Sequence, residues 1–230
     1  MVYYTHMASY RGHLAFGGAV AASGAAGIAA YAVAKDFQTL AVVFVLTLFG
    51  AVLPDVDSDS SVPFYVVFGP MSLAFASGVI YETLLSTKDI YLRIAVPIIA
   101  FALFWFLIGG IIKRLTHHRG IFHSLPMLAV AALGTVLLAK HYALSDFQAV
   151  LFGAAIGAGF FSHLLLDELY ALTHRGRHRL GPNKAFGTAL KFWAPSTFAS
   201  ITTYIVAIMF FVLTSPVINA ALTGFTNLTR

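Results

Sequence analysis

The sequence predicts an all-α protein, a polytopic bundle of about seven transmembrane helices that forms one integral membrane domain over residues 1–230. Of the 230 residues, 59% are hydrophobic and only 10% are charged, whereas soluble domains carry about 25% charged residues. So few charges could not cover the surface of a soluble protein of this length. In addition, apolar stretches near the ~20 residues needed to cross a bilayer recur along the chain, with no polar domain between them.

Seven segments are predicted to cross the membrane: Leu14–Ala34, Phe37–Leu53, Val62–Tyr81, Tyr91–Ile112, Ser124–Tyr142, Phe147–Leu166 and Phe198–Val217. The second is short and the seventh contains several Thr and Ser, so a bundle of six helices is the alternative. Small residues recur in the first and sixth segments, and they are typical of close helix packing in lipid. The glycines concerned are Gly17, Gly18, Gly24, Gly27, Gly153, Gly157 and Gly159.

Positive charge is unevenly distributed over this topology. Seven crossings place nine of the 14 Lys and Arg on the side of the N-terminus and five on the other. By the positive-inside rule, the N-terminus is then cytoplasmic, and we expect the protein in the inner membrane of the cell. The net charge of +5 indicates orientation and contact with anionic membrane lipids rather than nucleic acid, because the basic residues form no long stripe.

Histidine and aspartate lie at the ends of the predicted helices, all on this same side. They are His13, Asp55, Asp57, His118, His123, His163 and Asp167. Any one of them could be an interfacial anchor or part of a structural pair. As a set they indicate a metal site, because ionisable groups at membrane-spanning segments are costly and mark function. The chain has no Cys, so a metal here must be bound by His, Asp or Glu.

The spacing of these residues predicts how they converge. His163 and Asp167 are four residues apart and so share one helix face. Asp55 and Asp57 point the same way if the chain is extended after Pro54. A tight turn at Gly120 would bring His118 and His123 together.

Four imidazoles and three carboxylates exceed the needs of one tetrahedral ion and suffice for two. We expect one or two divalent ions, with zinc first and manganese, iron or magnesium as alternatives.

Four motifs that contain these residues resemble the YdjM-like membrane-bound metal-dependent hydrolases. In family order they are His-Leu-Ala-Phe-Gly at 13–17, Leu-Pro-Asp-Val-Asp at 53–57, His-Arg-Gly-Ile-Phe-His-Ser at 118–124 and Ser-His-Leu-Leu-Leu-Asp at 162–167. The resemblance implies an integral membrane protein with a hydrolytic metal centre. The chain departs from the family at Ser58, where members often have His, and at Phe122, where they have Thr.

The predicted function is metal-dependent hydrolysis at the cytoplasmic interface, on a phosphoester or a lipid-like anionic substrate. A bound divalent ion would lower the pKa of a water to near ~7 and polarise the ester. Asp57 is both a ligand and a predicted catalytic residue, and Arg119 could bind a phosphate oxygen through its planar fork. Glu168, next to Asp167, is a candidate general base. The basic loop between the sixth and seventh segments favours amphipathic anions as partners.

The main alternative is a transporter of a divalent cation or a proton that uses the same His and Asp residues. Transporters usually bind their ions near the bilayer midplane, in broken helices and internal repeats. In this sequence the candidate ligands lie at segment ends, and no repeat is evident. A structural protein with a stabilising metal is a third interpretation.

Overall fold

The computed structural model describes residues 9–31, 33–57, 61–110, 120–173 and 187–228. Within these ranges the chain is helical and contains no strand, which confirms the predicted fold class. The seven α-helices match the seven predicted segments. They are α1 Tyr10–Ala30, α2 Phe37–Gly50, α3 Ser61–Ser86, α4 Ile90–Leu103, α5 Leu125–His141, α6 Asp146–Thr173 and α7 Thr197–Leu228.

Five helices are long and apolar enough to cross a membrane. The apolar parts concerned are Tyr10–Ala30, Phe68–Ser86, Ile90–Leu107, Asp146–Leu172 and Thr197–Thr226. The other two, α2 and α5, have 14 and 17 residues. At 1.5 Å per residue they extend over about 21 and 26 Å, which is less than the ~30 Å of a bilayer core.

Polar residues cap the helices where the apolar segments begin. The carboxylate of Asp36 accepts a hydrogen bond from the Thr39 N–H at 2.7 Å, which caps α2. Ser9 caps α1 and Ser124 caps α5 in the same way. Such caps satisfy backbone donors that have no partner within the helix, so the sequence sets where these three helices start.

The chain forms two compact units. The first contains residues 1–54 and 119–230, and the second contains residues 55–118. In the first unit α6 is the central helix and contacts α1, α2, α5 and α7. The apolar segment of α6 is 61% buried, whereas the apolar segments of the other four long helices are 22% buried or less. A polar side chain on α6 can therefore lie inside the protein and away from lipid.

Three glycines bring the backbones of α1, α2 and α6 close together. A Cβ at Gly17 would overlap Cβ of Ala51, and a Cβ at Gly50 would overlap the carbonyl of Ile156. A Cβ at Gly159 would overlap the carbonyl oxygen of Thr47. These contacts draw the three helices together at the end where the histidines lie.

Two other glycines do not have the expected packing role. Gly24 and Gly27 of α1 have no atom within 4 Å of a Cβ built on them. The prediction of close packing was therefore wrong for this part of α1, because no neighbouring backbone approaches it there.

In the second unit, aromatic rings stack within α3 and join α3 to the turn that follows α4. Phe64 stacks on Phe68 at 4.9 Å between ring centroids, and Phe68 stacks on Phe104 at 5.1 Å. A π-helical turn, Phe104–Ile108, continues α4, and its Trp105 stacks on Tyr65 at 5.8 Å. This unit is thus held by aromatic contacts.

Candidate metal centre

His163 and Asp167 of α6 form the base of the candidate site. They lie on one face, as their spacing predicts, with His163 Nε2 at 3.8 Å from Asp167 Oδ2. Each residue is only 1% exposed. Burying a carboxylate in an apolar bundle is costly unless compensating polar or cationic groups surround it.

His13 reaches the same carboxylate from the first turn of α1. Its Nε2 lies 3.3 Å from Asp167 Oδ1, and its ring stacks on that of His163 at 3.7 Å with an interplanar angle of 10°. The close contact between Gly17 and Ala51, one turn along α1, allows this approach. His13 is 2% exposed, so it is part of the buried centre.

His123 is the third imidazole, and it comes from the turn that precedes α5. The chain bends at Gly120 and turns through Ile121 and Phe122, and the Ser124 cap then starts α5. His123 Nε2 lies 3.3 Å from His163 Nε2 and 3.7 Å from Asp167 Oδ2. The side chain is completely buried.

A backbone carbonyl fixes the orientation of His163. Its Nδ1 lies 2.8 Å from the carbonyl oxygen of Ala51, which follows the last residue of α2. A carbonyl only accepts hydrogen bonds, so Nδ1 carries a proton, and in the neutral form of the ring the lone pair is then on Nε2, which faces the centre. A metal-binding histidine is typically oriented by such a bond on its other nitrogen.

The resulting donor set fits a divalent metal. The Asp167 carboxylate lies 3.3 to 3.8 Å from the Nε2 atoms of His13, His123 and His163, and the Nε2 atoms of His123 and His163 are 3.3 Å apart. Bonds of 2.0–2.2 Å in a tetrahedral zinc site place ligand atoms about 3.3–3.6 Å apart. His123, His163 and Asp167 form a group whose ligand atoms all lie within 4.8 Å of one another.

The two oxygens of Asp167 face different histidines. Oδ1 is directed at His13, whereas Oδ2 is directed at His123 and His163. A carboxylate with this arrangement can bind one ion or bridge two. The geometry is therefore compatible with the mononuclear or dinuclear centre that the sequence predicts.

The segment with Asp55 and Asp57 differs from the prediction. Leu53–Asp57 is a 3₁₀-helix and is not extended. The extended backbone on which a common direction of the two side chains depended is therefore not present. Pro54 accounts for the difference, since its fixed φ also suits the first turn of a helix.

The remaining predicted residues divide into two groups. Asp55 is buried, at 8% exposed. The side chain of Asp57 and the whole of His118 and Arg119 lie outside the described residues.

Glu168 makes structural hydrogen bonds. Its carboxylate accepts hydrogen bonds from the backbone N–H of Gly187 and, at 3.3 Å, from that of Ala189. Two residues further along, the carbonyl of Lys191 accepts a hydrogen bond from Leu125 N–H at 3.0 Å. The segment 187–191 thus links α6 to the start of α5, two residues after His123.

Apolar spanning helices around a buried His/Asp cluster define an integral membrane protein with a candidate metal centre. Residues 7–227 match the family described as YdjM inner membrane protein. Because the match covers nearly the whole chain, the protein belongs to the YdjM inner membrane protein family, which confirms the resemblance found in the motifs. The chain matches no curated protein and no solved structure.

Proposed function

We propose that this protein is a membrane-embedded metal-dependent hydrolase. The main support is a group of buried polar residues in a membrane bundle. The imidazoles of His13, His123 and His163 lie against the buried carboxylate of Asp167. Polar groups at such a position destabilise the fold unless something compensates them. A divalent cation compensates the carboxylate and uses the lone pairs of the imidazoles.

Zinc is the proposed metal. Imidazole nitrogens and a carboxylate oxygen are ligands that zinc accepts, although manganese, iron and magnesium are alternatives. Asp55, Asp57 and His118 are the proposed ligands of a second ion, on the basis of their sequence motifs. When bound, the metal supplies Lewis-acid polarisation of the ester and an acidified water.

The chain itself contributes orientation, charge and a dry environment. The Ala51 carbonyl holds the proton of His163 on Nδ1 and keeps Nε2 available. Asp167 supplies negative charge between the histidines. Asp57 is the proposed catalytic carboxylate and Arg119 the proposed phosphate-binding residue, in keeping with its fork-shaped array of donors.

The proposed substrate is a phosphoester or another lipid-like anionic molecule. The cluster of Arg and Lys between α6 and α7 supports this choice, because basic loops near a membrane attract anionic headgroups. The excess of positive charge on the N-terminal side supports a cytoplasmic centre and an inner-membrane location.

The geometry gives less support to a transporter. His13 lies in the first turn of α1, and His123 precedes the first residue of α5. The centre is therefore at one end of these two helices, whereas transport sites are typically near the midplane in broken helices.

Metal analysis of the purified protein tests the proposal, provided that the affinity tag contains no histidine. We expect at least one equivalent of zinc per chain in wild-type protein. The isosteric Asp167→Asn substitution should weaken zinc binding by about 100-fold, because it removes the central charge. His141→Gln is the matched control, since His141 is exposed at the end of α5 and lies apart from the cluster.

Activity is then measured with phosphomonoester and phosphodiester lipids in detergent, for zinc-loaded, metal-free and Asp167→Asn protein. Turnover that requires zinc and is lost in Asp167→Asn supports a hydrolase. Folded wild-type protein without bound metal would refute the centre. Bound metal without turnover, together with metal-dependent ion flux in liposomes, would favour the transporter.

A further inference from the structure

An apolar groove lies between α1, α2 and α6, in the same unit as the metal centre. Its volume is about 200 Å³. The walls include Gly24 and Ile28 of α1, Val43 and Thr47 of α2, and Leu151 and Ala158 of α6. The groove is therefore built from three of the helices that also form the metal centre and its supports.

The apolar lining of the groove favours a hydrocarbon ligand. Thr47 carries the only hydroxyl among the lining residues, and it donates to the Val43 carbonyl at 2.8 Å. A water molecule in the groove would lack the two to four polar partners that a buried water needs. An apolar cavity of about 150 Å³ already stays dry and binds a small hydrocarbon, so this groove can take part of an alkyl chain.

The groove begins one to two helical turns from the metal centre. Thr47 precedes by four residues Ala51, whose carbonyl orients His163, and Ala158 precedes His163 by five residues. At 1.5 Å per residue, these steps correspond to about 6–8 Å along the helices.

In the other direction the groove extends from Val20 to Ile28 of α1, about 12 Å. This length is close to the roughly 15 Å depth of one leaflet's hydrocarbon.

The groove is open at its side. Gly24 and Ala158 are both exposed, and a Cβ on Gly24 would meet open space. Helix α1 and the apolar part of α6 are long and apolar enough to cross a membrane, so the molecules next to this opening are lipids. Lipid acyl chains are thus the hydrocarbon available to enter.

We propose that this groove is the binding subsite for one acyl chain of the substrate, whose anionic headgroup lies at the metal centre. The inference rests on the proposed function and gives its substrate class as a phosphoester with at least one alkyl chain. It also accounts for Gly24, because a larger side chain at this position would fill the groove.

The test compares Gly24→Leu with Gly27→Leu in zinc-loaded protein reconstituted in nanodiscs. Both glycines lie in α1, and neither has an atom within 4 Å of an added Cβ, but only Gly24 lines the groove. The probes are dodecyl phosphate and inorganic phosphate. Wild-type and Gly27→Leu protein should bind dodecyl phosphate at least tenfold more tightly than inorganic phosphate. Gly24→Leu should lose this preference and keep its affinity for inorganic phosphate.

Ala158→Leu fills the groove from α6 and should behave as Gly24→Leu does, which protects the test against a folding defect in one variant. A photoreactive dodecyl phosphate should label α6 near Leu151 in wild-type protein and fail to do so in Gly24→Leu.

An unchanged preference in both groove variants, or a wild-type protein without preference, would overturn the inference and leave the metal centre standing. Protein that holds no zinc would overturn the proposed function and the substrate subsite together. Zinc content therefore separates the two failures.

Discussion

The two ends of the group formed by α1, α2 and α6 use glycine in opposite ways. At the metal end, Gly17, Gly50 and Gly159 bring backbones into contact and enclose buried polar side chains. At the other end, Gly24 faces open space and leaves an apolar groove. The structure that faces a glycine therefore decides whether the glycine lets two helices meet or leaves an open space between them.

The largest effect is expected from Gly159→Ala. The added Cβ would overlap the Thr47 carbonyl and lie 2.9 Å from the Ala51 nitrogen, so α2 must shift at the point where it orients His163. We expect a loss of about 3 kcal/mol in the free energy of unfolding and weaker zinc binding, measured by denaturation in detergent and metal titration. Gly157→Ala is the control, because its Cβ would make ordinary contacts at 3.5 and 3.9 Å. Equal stability of the two variants would contradict the close contact.

The next effect concerns the segment beside the metal centre. Glu168→Ala removes the acceptor of two backbone N–H groups at Gly187 and Ala189. We expect a stability loss of about 1 kcal/mol and faster proteolysis within residues 187–191. Glu168→Gln keeps one acceptor oxygen and should lie between wild type and Glu168→Ala. If Glu168 were instead the general base, both variants would lose turnover equally without a change in proteolysis.

A smaller effect of the opposite sign is expected at the groove end. Gly24→Ala adds a methyl group to open space and replaces a poor helix former with the best one. The free energy of unfolding should rise by about 0.5 kcal/mol, in contrast to the loss at Gly159. A loss at Gly24 of the size expected at Gly159 would remove the distinction between the two ends.

The smallest effect is expected at Asp36, which caps α2 at the groove end. The hydrogen bond from the Thr39 N–H lowers the pKa of its carboxyl below the ordinary 3.8. Since the folded-state pKa is the lower one, the cap stabilises the protein above the ordinary value and loses this contribution as the pH falls through the folded-state pKa. Asp36→Asn keeps the cap without a charge. Its Tm should equal that of wild type at pH 7 and be less sensitive to acid below pH ~4.

Much of the fold could be predicted because a bilayer requires the helices that cross it to be long and apolar. Runs of apolar residues identified all seven helices, and the four-residue spacing placed His163 and Asp167 on one face. The backbone conformation of residues 53–57 could not be predicted from the sequence, because a proline is compatible with both an extended segment and a helical first turn.

Two features of the site have no signal in the sequence. The carbonyl of Ala51 orients His163, yet every residue has a carbonyl, and only the packing of α2 against α6 selects this one. Gly17 and Gly24 likewise lie in the same small-residue helix, and only their neighbours distinguish them. Tertiary contacts decide which carbonyl orients the histidine and which glycine packs closely, and the local sequence pattern does not indicate either.

The order in which the chain enters the membrane has a consequence for the metal centre. The residues of this candidate centre come from α1, the turn before α5, and α6, so the first and last are residues 13 and 167. During synthesis no complete donor set exists until α6 has been made and inserted. If the centre binds metal as proposed, the metal is acquired late in biogenesis, and a truncated or wrongly inserted chain would present only scattered histidines.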